Sequence, residues 1–221
     1  MPITSEIYQV GGADFTAPED AAVYLINFGG HAALVDTGCG RHMERLLDNI
    51  QSVPLRLDQI EYLLLTHCHF DHTGGAWALR NQLNCQVVAH DRDAVFIEQG
   101  DDRVSAATWY GANLHPCAVD HKLLEIEETI DLGGRSLKAI HIPGHSPGSV
   151  AFVTVSDGQT VLFGQDVHGP LHPVLRSDAA DYYRSLQRLL EVNADILCEG
   201  HFGVISGKAR VAKFIRSYLK Q

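Results

Sequence analysis

The 221-residue sequence predicts an α/β protein, a four-layer αββα sandwich of two mixed β-sheets packed face to face with helices outside. Three observations lead there. Residues 1–110 run from strand patterns into helical ones, and residues 120–221 do so again. No Pro/Ser-rich linker, short-period repeat or low-complexity tract separates the two halves. A single alternating parallel sheet would interleave strand and helix throughout, so the expectation is one domain over 1–221 built from two similar halves.

The elements follow in order. Apolar stretches over 7–10, 24–28 and 32–35 read as strands, and Gly29 and Gly30 turn a hairpin between the last two. From Met43 the apolar positions Met43, Leu46, Leu47 and Ile50 fall at helical spacing, and Pro54 closes the segment. A buried-type strand spans 61–66. Beyond a histidine-rich passage come a helix over 75–83, a strand over 86–89 and a short helix over 91–99. Residues 100–120, polar with Trp109 and Tyr110 and one proline, carry no clear period and read as a lid or insertion. Strand character returns at 123–126, 129–132, 137–142, 150–155 and 161–163, punctuated by Gly133-Gly134 and the hairpin signal Asp157-Gly158. A helix over 180–192, a strand over 195–198 and a final helix with Val211, Phe214, Ile215, Tyr218 and Leu219 on one face complete the chain.

Composition narrows the function. With 45% apolar and 20% charged residues, a chain of this length buries roughly 70% of its unfolded surface and needs no staple. Seventeen basic against twenty-seven acidic side chains give a net charge of −10 without basic clusters, which opposes a nucleic-acid partner. No apolar run approaches the ~18 residues of a spanning helix, and the first twenty residues lack the basic start and apolar stretch of a signal peptide. Cys39, Cys68, Cys85, Cys117 and Cys198 are odd in number and never form a C-x-x-C pair, which argues against a disulfide framework and a thiolate zinc site. The expected setting is the cytoplasm, with a small-molecule substrate, no membrane and room for a homodimer.

Thirteen histidines are more than a core requires. Residues 66–75 read THCHFDHTGG, which puts His67, His69, Asp71 and His72 in one loop after a strand. Three imidazoles and a carboxylate crowded together repel or desolvate one another unless a cation neutralises them. Such ligands suit zinc, iron or manganese, and one loop cannot close the shell. Further ligands are expected just past strands and beside glycine, where His145 (HIPGHSPGS), Asp166 (LFGQDVHG) and His201 (LCEGHFG) lie. Together the seven are enough for two metals. His168 and His172 are candidates for the rim of the site. His141 reads as packed, and His31, His42, His90, His115 and His121 read as surface or turn residues, with His115, Trp109 or Tyr110 as candidates to reach the metals from a lid.

The order of LVDTG with Asp36, the H-x-H-x-D-H loop, the later lone histidine, the aspartate and the final histidine resembles the metallo-β-lactamase-fold hydrolases over the whole chain. The resemblance implies that His67, His69 and His145 hold a first metal, Asp71, His72 and His201 a second, and that Asp166 bridges them. It implies that Asp36 orients the ligand loop by hydrogen bonding and that Cys68 is no ligand. Two divalent ions, zinc foremost with iron or manganese as alternatives, would lower the pKa of a shared water from about 15.7 toward ~7 and polarise an acyl carbonyl. Asp71 would orient that nucleophile and carry its proton to the leaving group.

The family's substrates are diverse, because function is set by the pocket. Zinc β-lactamases of the commonest type offer a cysteine where this chain has Asp166 and are exported. Nuclease members add domains or basic arms, and glyoxalase II members add a helical domain beyond the final histidine. Persulfide dioxygenases carry an arginine-rich passage where this chain reads GQDVHGPLHP. The expectation is a compact, glyoxalase II-like or lactonase-like enzyme acting on a small thioester, lactone or ester, with a non-haem iron oxidoreductase of the persulfide dioxygenase kind as the alternative.

Overall fold

Alternation along the strands builds the layers, because successive side chains of a strand face opposite sides of its sheet. The computed structural model describes residues 1–219. The first sheet holds β1 (Ile7–Gly11), β2 (Val23–Phe28), β3 (His31–Val35), β4 (Ile60–Leu64), β5 (Gln86–His90) and β6 (His121–Leu123), in that spatial order. The second holds β7 (Glu127–Leu132), β8 (Arg135–His141), β9 (Val150–Ser156), β10 (Gln159–Gln165), β11 (Ile196–Glu199) and β12 (Val204–Ser206). Helices α1 (Met43–Gln51), α2 (Phe70–Thr73), α3 (Ala76–Leu83) and α4 (Asp91–Gln99) belong to the first half, α5 (Ala179–Glu191) and α6 (Lys208–Tyr218) to the second.

Three apolar interfaces separate the four layers. Val23, Leu25, Leu63 and Val87 face outward onto Leu46 and Ile50 of α1, Leu79 of α3 and Ile97 of α4. Their neighbours Tyr24, Ile26, Leu64 and Val88 face inward onto Leu137, Phe152, Phe163 and Ile196 of the second sheet. Leu162 and Leu197 face out onto Leu186 and Leu189 of α5 and Ile215 of α6. The αββα expectation holds, and each sheet mixes parallel with antiparallel pairs.

The strand expected over 123–126 is displaced. Its pairing partner is β5, over His121–Leu123, so this strand belongs to the first sheet. The chain then bends, because one Glu128 oxygen accepts the amides of Leu124 at 2.6 Å and Glu125 at 2.9 Å that a ladder would have used. Two short elements, α2 and β12, had no period long enough to be read.

Strand direction decides where the loops go. β3, β4 and β5 are parallel, so their C-terminal ends share one edge. β8 and β10 both run antiparallel to β9, and β10 runs parallel to β11, so the loops after β8, β10 and β11 also share an edge. The two edges meet: Val150 N donates to Thr66 O at 2.7 Å, and the Tyr24 hydroxyl to Glu199 O at 2.7 Å.

Candidate metal centre

The loop after β4 turns straight into α2, which puts His67, His69, Asp71 and His72 on one short, buried path. Ring centroids of His67 lie 4.5 Å from His69, 4.1 Å from His72 and 4.8 Å from His145. The loop after β8 delivers His145. β10 ends in a register shift between Phe163 and Gln165, and Asp166 follows at once. A bulge of this kind re-aims the next side chain. Gly200, after β11, comes so close that a Cβ there would meet Asp166 Oδ1 at 2.6 Å, and His201 follows it.

All seven ligand candidates therefore converge. Ligand atoms of His67, His69, His145 and Asp166 lie within 4.8 Å of one another, as do those of Asp71, His72 and His201. Asp166 Oδ2 is 3.2 Å from His145 Nε2 and its Oδ1 is 3.2 Å from His72 Nε2, so each oxygen faces one group. His201 Nε2 is 3.2 Å from Asp71 Oδ2.

These residues fit a divalent ion pair. The Nε2 atoms of His67, His69, His72 and His145 and Oδ1 of Asp166 are buried without a hydrogen-bond partner, a state that costs free energy unless something else satisfies them. In three of the four the opposite ring nitrogen is engaged: His67 Nδ1 with Thr66 Oγ1 at 3.0 Å, His72 Nδ1 with Asp36 Oδ2 at 2.6 Å, and His145 Nδ1 with Pro170 O at 2.9 Å. This leaves Nε2 as the free ligand atom, the usual arrangement of metal-ligating histidines. Burial, reinforced by neighbouring imidazoles, pushes His67 well below its ordinary pKa and His69 down to about 3, so both are neutral and able to ligate. For His72, burial opposes charge, but Asp166, Asp71 and Asp36 outweigh it and raise its pKa well above the ordinary value. Burial would raise Asp166, yet His72 and His145 hold it well below the carboxylate range. The carboxylates already recruit positive charge to this pocket, as a divalent ion would supply it.

Asp36 is fully buried at φ 61°, a backbone state uncommon for non-glycine residues, at the end of β3. It accepts from Thr66 N and Thr66 Oγ1, both at 2.8 Å, from His72 Nδ1 and from Gln165 Nε2. One carboxylate thus ties the ligand loop to the strand leading to Asp166.

A second buried carboxylate was missed in the sequence. Asp93 of α4 accepts from Cys68 N at 2.9 Å, Ser146 Oγ at 2.6 Å and Gly148 N at 2.6 Å. It clamps the His67–His69 turn to the His145 loop. The available signal was its position on the buried face of α4 beside Ala94, Phe96 and Ile97. Cys68 itself is buried in the core, and burial followed by Asp93 pushes its thiol well up.

The remaining histidines separate. Trp109 and Tyr110 wall a cavity of about 190 Å³ together with His69, Asp71, His145, Asp166, His168 and His201. His168 thus lines the site, whereas His172 caps its own turn through Val174 N and meets Trp109 edge-on. Residues 100–120 are anchored: Ser105 O accepts from Phe70 N at 2.8 Å, and Asp102 accepts from Asn113 Nδ2 and Leu114 N. His115 turns away from the site and stacks on Trp77. His90 is no surface residue; it is buried, stacked 3.8 Å from His141, and its Nδ1 accepts from Arg92 N at the start of α4. All five cysteines are free, and no helix among the described residues is long and apolar enough to cross a membrane.

Comparison with known proteins agrees with this geometry. The family model of the metallo-beta-lactamase superfamily matches residues 17–201. A protein named a probable metallo-hydrolase from Methanocaldococcus jannaschii is 31% identical over 59% of this chain and 60% of its own length. An acyl-coenzyme A thioesterase of Gallus gallus is 26% identical over 100% of this chain and 86% of its own. A hydroxyacylglutathione hydrolase of Haemophilus influenzae is 28% identical over 85% and 88%. Among solved structures, a metallo-beta-lactamase of Cronobacter sakazakii superposes with a TM-score of 0.82 at 22% identity, covering 100% of this chain and 92% of that one, a likeness of fold.

Proposed function

The chain belongs to the metallo-beta-lactamase superfamily, and from that premise we propose that it is a dinuclear metal-dependent hydrolase cleaving a small thioester, lactone or ester. The convergence of five buried, unpartnered polar atoms from His67, His69, His72, His145 and Asp166 supports it, with His69, His145 and Asp166 in the wall of one cavity. His67, His69 and His145 would hold one ion, Asp71, His72 and His201 the other, with Asp166 between them. Bound there, the ions would supply Lewis acidity that acidifies a water toward neutral pH and polarises an acyl carbonyl.

The chain's own groups do the rest. Asp71 borders the cavity, where its carboxylate orients the attacking water and passes the proton on to the leaving group. Trp109 and Tyr110 cover the site and exclude bulk water. No lysine or arginine is among the described residues lining this cavity, and with its small volume that suits an uncharged, compact acyl group. The names of two relatives put thioesters first among the substrates to assay.

Metal analysis together with a panel of thioesters, lactones and phosphoesters tests the proposal. About two equivalents of zinc with acyl turnover are expected, and Asp166→Asn should lose metal and rate together. A fully loaded, fully active Asp166→Asn, or one redox-active iron with oxygen consumption on a persulfide, would overturn it.

A further inference from the structure

His168 lies two residues past Asp166 and has no place in the seven-ligand set. We infer that His168 is an additional ligand for the ion held by Asp71, His72 and His201, kept in the ligating tautomer by Glu199. The inference rests on the two-metal reading above.

Glu199 is fully buried at the end of β11. Its Oε2 accepts the backbone amides of His201 at 2.8 Å and Phe202 at 2.9 Å, and its Oε1 lies 2.8 Å from His168 Nδ1. An ionised carboxylate only accepts, as this one does from the two amides, so its contact with His168 places the proton on Nδ1. A neutral imidazole protonated at Nδ1 has its lone pair on Nε2. His72 shows the same device, with Asp36 on Nδ1 and a free Nε2. A surface histidine has no need of a fully buried carboxylate to fix its proton, and His168 is itself only 19% exposed.

Position agrees with chemistry. Asp166, His168 and His201 each offer a ligand atom, all within 4.8 Å of one another, and the rings of His168 and His201 meet edge-on at 5.2 Å. Two nitrogens each ~2.1 Å from one tetrahedral zinc lie about 3.4 Å apart, so a shift of at most about 1.4 Å brings His168 to an ion that His201 also holds. His168 also lines the cavity under Trp109.

Metal-free protein titrated with cobalt(II), followed by its visible spectrum, tests the inference, with thermal melts confirming that each variant folds. His168→Gln should weaken the second equivalent at least ~10-fold and alter its bands, leaving the first unchanged. Glu199→Gln is the sharper variant. Its amide can donate to His168 Nδ1, which moves the imidazole proton to Nε2 and removes the lone pair, so the same selective loss is expected while the His201 and Phe202 amides keep an oxygen acceptor. A wild-type protein that binds two equivalents beside a His168→Gln variant with unchanged affinities and spectrum would overturn the inference alone. Weakening of both equivalents alike would also overturn it. A wild type that binds a single equivalent would instead refute the two-metal reading.

Discussion

Replacing Asp93 by alanine should loosen the metal centre from a position that touches no metal. The substitution removes the acceptor of Cys68 N and Gly148 N; Ser146 Oγ keeps a partner in Ser149 Oγ at 2.8 Å. Two buried backbone N–H groups left unpaired cost about 1–3 kcal/mol each. Part of that returns, because burial outweighs the hydrogen bonds to Asp93 and raises its carboxyl pKa, so keeping it ionised is itself unfavourable. The net loss is about 2–4 kcal/mol, which leaves a protein of ordinary stability folded. For a chain of this size it lowers the melting temperature by about 5–15 °C. The clamp joins the loops of His67, His69 and His145, so affinity for the ion at those three should fall about 10–100-fold while the other site is less affected. Calorimetric melting of the metal-free protein and a zinc titration measure both quantities. A melting temperature within about 2 °C of wild type together with unchanged zinc affinity would refute the clamp.

Three more outcomes are expected. Asp36→Asn keeps the shape but weakens the bond to His72 Nδ1, so the ion at His72 should bind about 10–100-fold more weakly, read by metal content after dialysis. Gly200→Ala puts a methyl group 2.6 Å from Asp166 Oδ1 and should cut both metal occupancy and turnover; full loading in the variant would show that the loop yields without cost. His90 has a folded pKa of about 4, lowered by burial, then by His141 and Arg92, against 6.5 when free. The unfolded chain therefore binds more protons between these values, and stability falls as pH drops from 6.5 toward 4, by at most about 3 kcal/mol from this group. In urea titrations across that range, His90→Gln should show a shallower loss than wild type; parallel curves would exclude the effect.

Much of the site was readable from the chain because its signals are local. The H-x-H-x-D-H run packs four candidate ligands into six positions, and strand ends beside glycine mark the edges that carry His145, Asp166 and His201. Short apolar runs likewise marked β2, β3 and β4, whose side chains divide between the outer helices and the facing sheet. Asp93, Glu199 and the burial of His90 were hidden because each depends on a partner far along the chain or in another layer. Asp93 meets Gly148 across 55 positions, and Glu199 meets His168 across 31. In sequence, Asp93 looks like any acid in a first helical turn, and His168 like any loop histidine.

The residues alone thus point to the layers and the candidate ligands, since apolar patterning and crowded imidazoles are properties of neighbouring positions. The tertiary structure decides which nitrogen each imidazole offers, which carboxylates hold them and what covers the cavity. Those depend on hydrogen bonds that exist only when the C-terminal edges of two sheets meet, as Asp36 of β3's end does with Gln165 of β10 and Tyr24 of β2 with Glu199 of β11.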